Sequence, residues 1–234
     1  MEFSSLSQSK VLVKTNSFLR SVYNWMAIAL ALTGFTAYYV STNEAIMQLI
    51  YGTPGLIMML IFAELGFVYF LSARIQKIKA TTATALFTIY SILNGITLSF
   101  IFITYTRTSI ASTFMICALT FLVCSIYGMV TKKDLTSLGG FMIMGLIGII
   151  IASIVNIFIQ SSAMQMIISY IGVIVFIGLT AYDTQKLKKM SVTIPDNASG
   201  AMVRKGALMG ALTLYLDFIN LFIMMLMIFG GNRD

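Results

Sequence analysis

The segment Leu138–Ile159 has the sequence LGGFMIMGLIGIIIASIVNIFI, which is 22 residues without a charged side chain. The hydrocarbon core of a bilayer is about 30 Å thick, and about 20 apolar residues of α-helix are needed to cross it. A continuous apolar run that contains glycines also favours a helix over a membrane barrel strand, in which polar and apolar residues alternate over about 10 residues. We therefore predict that this segment is a transmembrane helix.

Six other segments share this length and apolar character: Val22–Val40, Leu56–Ala73, Thr81–Tyr105, Ser109–Val130, Met164–Tyr182 and Gly206–Phe229. The composition agrees, since 59% of the 234 residues are hydrophobic and 10% are charged, against about 25% charged residues in an average soluble domain. The sequence thus predicts an all-α membrane protein. We expect a cytoplasmic tail over residues 1–21 and a single domain of seven transmembrane helices over residues 22–234.

The basic residues fall almost entirely on one side of these spans. Of the 15 Lys and Arg residues, 13 precede span one or follow spans two, four and six, and only Arg107 and Arg233 fall on the other side. Basic connections stay in the cytoplasm, so we expect a cytoplasmic amino terminus and a carboxyl terminus on the outer side. The net charge of +7 is thereby explained by topology, and no nucleic-acid partner is predicted.

The composition also excludes several kinds of chemistry. The chain has no histidine, which rules out a Ser-His-Asp triad, a histidine-ligated metal and a histidine pH switch. Its two cysteines cannot form a thiolate zinc site. We predict no enzyme activity and no cofactor.

Three carboxylates lie within or at the end of a predicted span: Glu64 in span two, Asp183 at the end of span six and Asp217 in span seven. A charge at mid-bilayer costs at least about 2.5–3.5 kcal/mol. No Lys or Arg lies inside a span to offset this cost, so these carboxylates are expected to face the interior of the bundle.

The depth of each carboxylate follows from its distance to the nearest basic anchor. At 1.5 Å per residue, Asp217 and Glu64 lie roughly 15–18 Å from their anchors, whereas Asp183 lies roughly 4–5 Å from its own. Because Asp217 and Glu64 lie at similar depths, the estimate favours a pair between these two carboxylates. If the first residues of span seven project from the membrane, Asp217 instead moves toward Asp183, and the sequence leaves both pairings open.

Small and polar side chains form one stripe on each of the last two spans. The stripe on span seven contains Gly206, Gly210, Thr213, Asp217 and Asn220, and the stripe on span six contains Ser169, Gly172, Phe176, Thr180 and Asp183. Small residues let helices approach closely, and polar residues bond across the contact, so we expect span seven to be buried. Asn94 and Asn156 are the other costly polar groups, with a role in interhelical bonding or in lining a pore.

Two facing carboxylates cannot both ionise at low cost, and they share a proton. Such a pair suits a proton-sensitive cation site, an aspartyl protease dyad or a structural lock in a scaffold. Intramembrane aspartyl proteases carry Tyr-Asp in one helix, which Tyr182-Asp183 matches, and Gly-x-Gly-Asp in the next. The second motif lacks its glycines at Leu214–Asp217, which disfavours the protease.

The segment Gly178–Gln185, GLTAYDTQ, resembles the signature of the Bax inhibitor-1 family, the transmembrane Bax-inhibitor-motif proteins. Three further segments agree: Tyr90–Ser99 (YSILNGITLS), Tyr127–Leu135 (YGMVTKKDL) and Gly210–Asn220 (GALTLYLDFIN). The resemblance extends from about residue 20 to the end of the chain and is nearest to a bacterial inner-membrane branch.

This resemblance implies seven helices, the last at the centre of the bundle, and a pH-sensitive calcium leak. It also implies that an aspartate pair between helices six and seven senses pH, and Asp183 and Asp217 match the two positions. An arginine at the end of helix two is implied as a latch to the helix-six aspartate, and Arg74 is the nearest match. Glu64 resembles the acidic position of helix two.

We therefore predict a proton-sensitive cation leak in the bacterial inner membrane. Its partners are the lipid bilayer, protons and calcium, a hard cation that prefers oxygen ligands. Asp183 and Asp217 are the predicted calcium ligands, and the predicted path is lined by Glu64, Asn94, Asn156 and Asn220. The alternative is a non-transporting scaffold that modulates a membrane protease or stress and cell-death partners, because some relatives do so.

Overall fold

The computed structural model describes residues 2–195 and 197–231. Its helices are Glu2–Ser41 (α1), Glu44–Gly52 (α2), Leu56–Arg74 (α3), Ala80–Leu98 (α4), Ile101–Thr104 (α5), Arg107–Val130 (α6), Thr136–Ile159 (α7), Ser162–Thr193 (α8) and Gly200–Phe229 (α9). Arg233 and Asp234, which enter the predicted topology, lie outside the described residues.

Six helical stretches in the described part of the chain are long and apolar enough to cross a membrane: Leu56–Arg74, Ala80–Thr104, Arg107–Val130, Thr136–Ile159, Ser162–Thr193 and Gly200–Phe229. These helices expose large apolar side chains, with Phe158 83% exposed and Met144 63% exposed. Such extensive apolar surface suits a lipid solvent rather than water. The prediction of an all-helical, multi-pass membrane protein is confirmed.

The first predicted span, Val22–Val40, lies within α1 but is not among these six stretches. Asn24, Thr33 and Thr36 interrupt its apolar character. A seventh span, and with it the count of seven, stays a prediction.

The predicted span Thr81–Tyr105 is divided between α4 and α5. The hydroxyl of Ser99 donates to the carbonyl of Ile96 at 2.7 Å, while the hydroxyl of Tyr51 donates to the carbonyl of Thr97 at 3.0 Å. Local side-chain bonds of this kind compete with the helical ladder, and α4 ends at Leu98.

The helices form two compact units, each of which draws on two separated parts of the chain. Unit one comprises Met1–Thr104 and Met190–Tyr215, and unit two comprises Tyr105–Lys189 and Leu216–Asp234. The sequence predicts one transmembrane domain. Both α8 and α9 contribute residues to each unit, so neither unit is a single continuous segment.

The last helix is the most buried of the six apolar stretches. In its most apolar part 56% of the residues are buried, against 6% for α3. Tyr215 and Leu221 on α9 are completely shielded from solvent, as expected for a helix that carries the small-and-polar stripe.

In unit one, α1 and α4 approach each other at Gly95. A Cβ atom at this position would lie 2.6 Å from the backbone oxygen of Thr33, so only glycine permits the observed spacing. The rings of Phe87 and Tyr90 meet the ring of Tyr215 edge to face, at 6.1 and 5.8 Å between centroids. These contacts bring together the sides of α1, α4 and α9 that carry polar residues.

The distribution of basic residues yields a test of topology. A reporter fused after Asp234 should be periplasmic and a reporter inserted near Pro195 should be cytoplasmic, because basic connections resist translocation. Paired alkaline phosphatase and fluorescent-protein fusions measure the two locations. Both reporters on one side of the membrane would contradict the predicted orientation.

Candidate functional site

Within unit two, the carboxyl groups of Asp183 of α8 and Asp217 of α9 lie within hydrogen-bonding reach of each other. Both side chains are buried, with 8% and 5% of their surface exposed. A carboxylate has no hydrogen to donate, so a bond between two carboxyl groups requires a proton on one of them. The Oδ2 atom of Asp217 is buried and has no hydrogen-bond partner among the described residues, which leaves one polar atom of the pair unsatisfied.

In unit two Asp217 pairs with Asp183, the pair that the resemblance favours, and in unit one Glu64 has its own hydrogen-bond donors. Depth had favoured a pair of Asp217 with Glu64, because both acids lie roughly 15–18 Å from their basic anchors.

The other residues of the Tyr-Asp-Thr-Gln signature hold this part of α8 against its neighbours. Tyr182 occupies the space beside Gly139, where a Cβ atom would lie 2.5 Å from the ring. Thr184 contacts the hydroxyl of Ser125 at 3.5 Å. Each residue that flanks Asp183 thus has its own packing partner on α6 or α7.

Gln185 connects α8 to the segment between α6 and α7. Its Oε1 atom accepts from the backbone N–H of Leu135 at 2.9 Å, and its Nε2 atom donates to the carbonyl of Lys133 at 2.8 Å. Backbone groups of this loop are thereby satisfied. The two bonds fix the rotation of α8, and so the direction of the Asp183 side chain.

Close packing of α6 on α8 depends on Gly128. A Cβ atom at Gly128 would lie 2.3 Å from the backbone oxygen of Ala181, two residues before Asp183. The obstacle is backbone and cannot rotate away. Gly128 therefore sets the position of the helical turn that carries the carboxyl pair.

The basic residues Lys186 and Lys189 follow Asp183 toward the carboxyl end of α8. The ammonium group of Lys186 acts electrostatically on Asp183, and it lies 5.9 Å from the ring centroid of Tyr182. Further along, Lys189 and Asp134 form an exposed ion pair at 2.8 Å. The bond from Lys189 lowers the pKa of Asp134 to about 2, so Asp134 stays ionised near neutral pH and is not a sensor there.

Arg74, the predicted latch, is the last residue of α3 and is exposed. Within the described residues of unit one it forms no ion pair. The latch to Asp183 stays a prediction from the resemblance.

Glu64 and Asn94, both predicted to line the path, are brought together in unit one. Glu64 accepts a hydrogen bond from the amide of Asn94 at 3.2 Å and one from the hydroxyl of Thr97 at 2.6 Å. The side chain is half-buried on α3, whose other residues mostly face outward. The two donors satisfy a carboxylate that would otherwise be costly in this setting.

This cluster continues from Asn94 into the interior. The hydroxyl of Tyr215 donates to the Oδ1 atom of Asn94 at 3.0 Å, and it lies 2.7 Å from the hydroxyl of Thr33. Thr33 also lies 2.9 Å from the carbonyl of Ser91. Helices α1, α3, α4 and α9 are therefore linked by a continuous chain of polar contacts in unit one.

Asn156 and Asn220 are not part of either cluster. Asn156 accepts from the backbone N–H of Ser161 at 3.0 Å, beyond the end of α7, and Asn220 donates to the carbonyl of Leu216 at 2.8 Å in its own helix. Asn156 also lines a cavity of about 440 Å³ in unit two, together with Gln160 and Gln165. Its placement beside this cavity is the feature that fits a path.

Sequence reasoning missed Tyr215, Thr97 and Gln185. All three lie in segments that carry the family resemblance, but tyrosine, threonine and glutamine are ordinary in helices, and the sequence does not show which partner each one contacts. The signal for Tyr215 is its position two residues before Asp217 on the helix predicted to be buried, since a buried tyrosine hydroxyl needs a partner.

The carboxyl pair has the right donor atoms for calcium but few of them. The described residues contain no cluster of three or more Asp, Glu, Cys or His side chains. Calcium takes about 6–8 oxygen ligands, and two carboxylates supply at most four. The arrangement fits a weakly held, partly hydrated ion rather than a permanently bound one.

Comparison with known proteins extends these observations. A family model described as "Inhibitor of apoptosis-promoting Bax1" matches residues 15–234. The inner membrane protein YbhL of Escherichia coli K12 is 50% identical over 217 residues, which cover 93% of this chain and 92% of the relative. A protein of Borreliella burgdorferi is 45% identical over 231 residues, 98% of each chain. A membrane protein of Streptococcus pyogenes serotype M1 is 37% identical over 223 residues, 94% of this chain and 95% of the relative.

The contact at Gly128 gives a prediction about the site's scaffold. Gly128→Ala should lower the free energy of unfolding by about 1–3 kcal/mol, because the added methyl group overpacks the α6–α8 contact. Gly140→Ala on α7 is the matched control, since a Cβ atom at Gly140 would meet nothing within 4 Å. Thermal unfolding in detergent compares the two variants, and equal stability of Gly128→Ala and wild type would contradict the packing argument.

Proposed function

Since this chain belongs to the Bax inhibitor-1 family of membrane proteins, we propose that it forms a proton-sensitive calcium leak in the bacterial inner membrane. The proposal includes seven transmembrane helices with a cytoplasmic amino terminus. Val22–Val40 of α1 supplies the first span, and the other six are the apolar stretches of the structure.

The observation that carries the proposal is the close approach of the buried carboxyl groups of Asp183 and Asp217. Two carboxyl groups within hydrogen-bonding reach of each other titrate as one unit and share a proton. Their joint charge passes from zero to minus two as protons leave. A change of two charges inside a bundle of low dielectric is large enough to bias two arrangements of the helices.

Calcium and protons compete for the same oxygens in this proposal. A protonated carboxyl group is a poor ligand for a hard cation, so calcium binding favours loss of the shared proton. The Oδ2 atom of Asp217 is buried without a partner among the described residues, so it is an oxygen that an ion would satisfy once the helices let the ion reach the pair. Lys186 acts electrostatically on Asp183, and its positive charge weakens the binding of a cation at the pair.

Glu64 and Asn94 in unit one, and Asn156 and Asn220 in unit two, supply further oxygens for the ion. Glu64 is the acidic member of this set. It accepts hydrogen bonds from Asn94 and Thr97, and a cation can replace either donor at its carboxylate. We assign these four residues to conduction and the aspartate pair to the response to pH.

A non-transporting scaffold for a membrane protease or for stress partners is the competing function. Reconstituted liposomes that contain only this protein separate the two. Calcium flux without any partner supports the leak, whereas a correctly folded protein without flux, but with a stable membrane partner, supports the scaffold.

The aspartate pair yields the central functional prediction. Asp183→Asn and Asp217→Asn should each flatten the pH dependence of calcium flux across roughly pH 6–8, because asparagine keeps the size of the side chain and removes its titration. The double variant should add little to either single variant, since the two groups act as one unit. Flux of calcium into dye-loaded proteoliposomes measures the profiles.

Glu64→Gln is the control for this experiment. It removes a carboxylate from the path but not from the pair, so it should lower flux and preserve the pH response. An unchanged pH profile in either aspartate variant would reject the pair as the sensor.

A further inference from the structure

Four polar contacts in unit one follow one another from Glu64 on α3 to the backbone of α4, and we call them the polar row. The Oε2 atom of Glu64 lies 3.2 Å from the amide of Asn94, and the same amide lies 3.0 Å from the hydroxyl of Tyr215. The Tyr215 hydroxyl lies 2.7 Å from the hydroxyl of Thr33, which lies 2.9 Å from the carbonyl of Ser91. All four contacts have the length of hydrogen bonds.

The polar row holds one hydrogen too few when Glu64 is ionised. The Asn94 amide and the two hydroxyl groups supply one hydrogen each along the row, whereas a carboxylate and a backbone carbonyl supply none. With its nitrogen toward Glu64, the Asn94 amide accepts from Tyr215. Thr33 then donates either to Tyr215 or to Ser91, and not to both. One contact at the α1 end of the row is therefore left without a hydrogen.

A proton on Glu64 supplies the missing hydrogen. A rotation of the Asn94 amide by about 180° exchanges its oxygen and its nitrogen, which occupy nearly the same space. The amide oxygen then accepts from the carboxyl group of Glu64, and the amide nitrogen donates to Tyr215. Tyr215 donates in turn to Thr33, and Thr33 donates to Ser91. Every contact of the polar row now holds one hydrogen.

The surroundings of Glu64 are compatible with both protonation states. Its other oxygen, Oε1, accepts from the hydroxyl of Thr97 at 2.6 Å and takes no part in the polar row. The titratable groups that act on Glu64 from other helices are Tyr90 of α4 and Tyr215 of α9, and tyrosine is neutral near pH 7. From α2, Tyr51 donates to the carbonyl of Thr97. Within the described part of the chain no Lys or Arg pairs with Glu64.

The far end of the polar row is shielded from water. Tyr215 and Ser91 are completely buried, and Thr33 is 3% exposed, so solvent does not replace a missing bond there. A buried polar group without a partner is costly. The proton that completes the row is therefore favoured by the hydroxyl groups at its far end.

We propose that the polar row is a proton-dependent link between α3 and α1. When Glu64 takes up a proton, the Asn94 amide turns over and the hydroxyl groups beyond it reverse the direction of their hydrogen bonds. The completed row ties Thr33 to the backbone of α4, close to the contact at Gly95. Loss of the proton removes one bond at that end. The link lies wholly in unit one and depends neither on the aspartate pair nor on calcium transport.

Isotope labelling separates Glu64 from the aspartate pair, because the chain contains only three glutamates. The full chain, labelled with ¹³C-glutamate, is reconstituted in phosphatidylcholine bilayers. Infrared spectroscopy follows the protonated-carboxyl band of the label across roughly pH 4–9, a range that begins near the reference value of glutamate. Glu64→Gln removes the band of Glu64 and thereby assigns it.

Thr33→Val should lower the proton affinity of Glu64 about tenfold, because the turned amide then leaves the hydrogen of Tyr215 without an acceptor. Thr33→Ser keeps the hydroxyl and should keep the affinity of wild type. Thr84→Val is the matched control, since Thr84 lies on α4 in the same unit and its hydroxyl donates to the carbonyl of Ala80 in its own helix at 2.9 Å. This control should leave the affinity unchanged.

A double variant separates the polar row from a general effect of local polarity. Tyr215→Phe interrupts the row between Asn94 and Thr33. Thr33→Val added to Tyr215→Phe should therefore have no further effect on the proton affinity of Glu64. Thermal unfolding verifies that each variant is folded, and Thr33→Ala, which also lacks the hydroxyl, replaces Thr33→Val if that variant does not fold.

Three results would overturn the proposal. Equal proton affinity of Glu64 in Thr33→Val and in wild type would show that its proton is not linked to α1. A tenfold effect of Thr33→Val that persists in the Tyr215→Phe background would assign the effect to packing instead of the polar row. A wild-type Glu64 without a protonated band at any pH in the range would leave the row without its fourth hydrogen.

Discussion

Lipid offers no hydrogen bonds, so every polar group within the bilayer must find its partner in the protein. In unit two this constraint acts on the carboxyl pair of Asp183 and Asp217, because each buried acid is a partner for the other and only Oδ2 of Asp217 is left without one among the described residues. Their contact requires α8 and α9 to lie close together at one level. The contacts at Gly128 and Gln185 hold α8 in that position.

The same constraint explains the polar chain in unit one. Glu64 lies on a helix that is mostly exposed to lipid, and it is satisfied by Asn94 and Thr97. Asn94 is satisfied in turn by Tyr215, which precedes Asp217 by two residues on α9. The most buried helix, α9, thus carries Tyr215 of unit one and Asp217 of unit two. Polar bonds within a membrane interior hold such helices in register.

Much of the helical architecture could be predicted from the sequence, because a bilayer imposes a minimum length on apolar segments. The three intramembrane acids were identifiable for the same reason, since charge is rare at that depth. The partner of Asp217 was not predictable from depth, because a rise of 1.5 Å per residue from a basic anchor does not show which faces of two helices meet. The role of Tyr215 was hidden because its partner lies 121 positions away in the chain.

The central claim is that Asp183 and Asp217 hold one proton between them, and infrared difference spectroscopy of the protein in lipid tests it most directly. At about pH 7 we expect a protonated-carboxyl C=O band that disappears in Asp183→Asn and in Asp217→Asn and persists in Glu64→Gln. Isotope-labelled aspartate assigns the band to the pair. A spectrum in which both aspartates are fully ionised at this pH, or a band that is unchanged in both aspartate variants, would contradict the account.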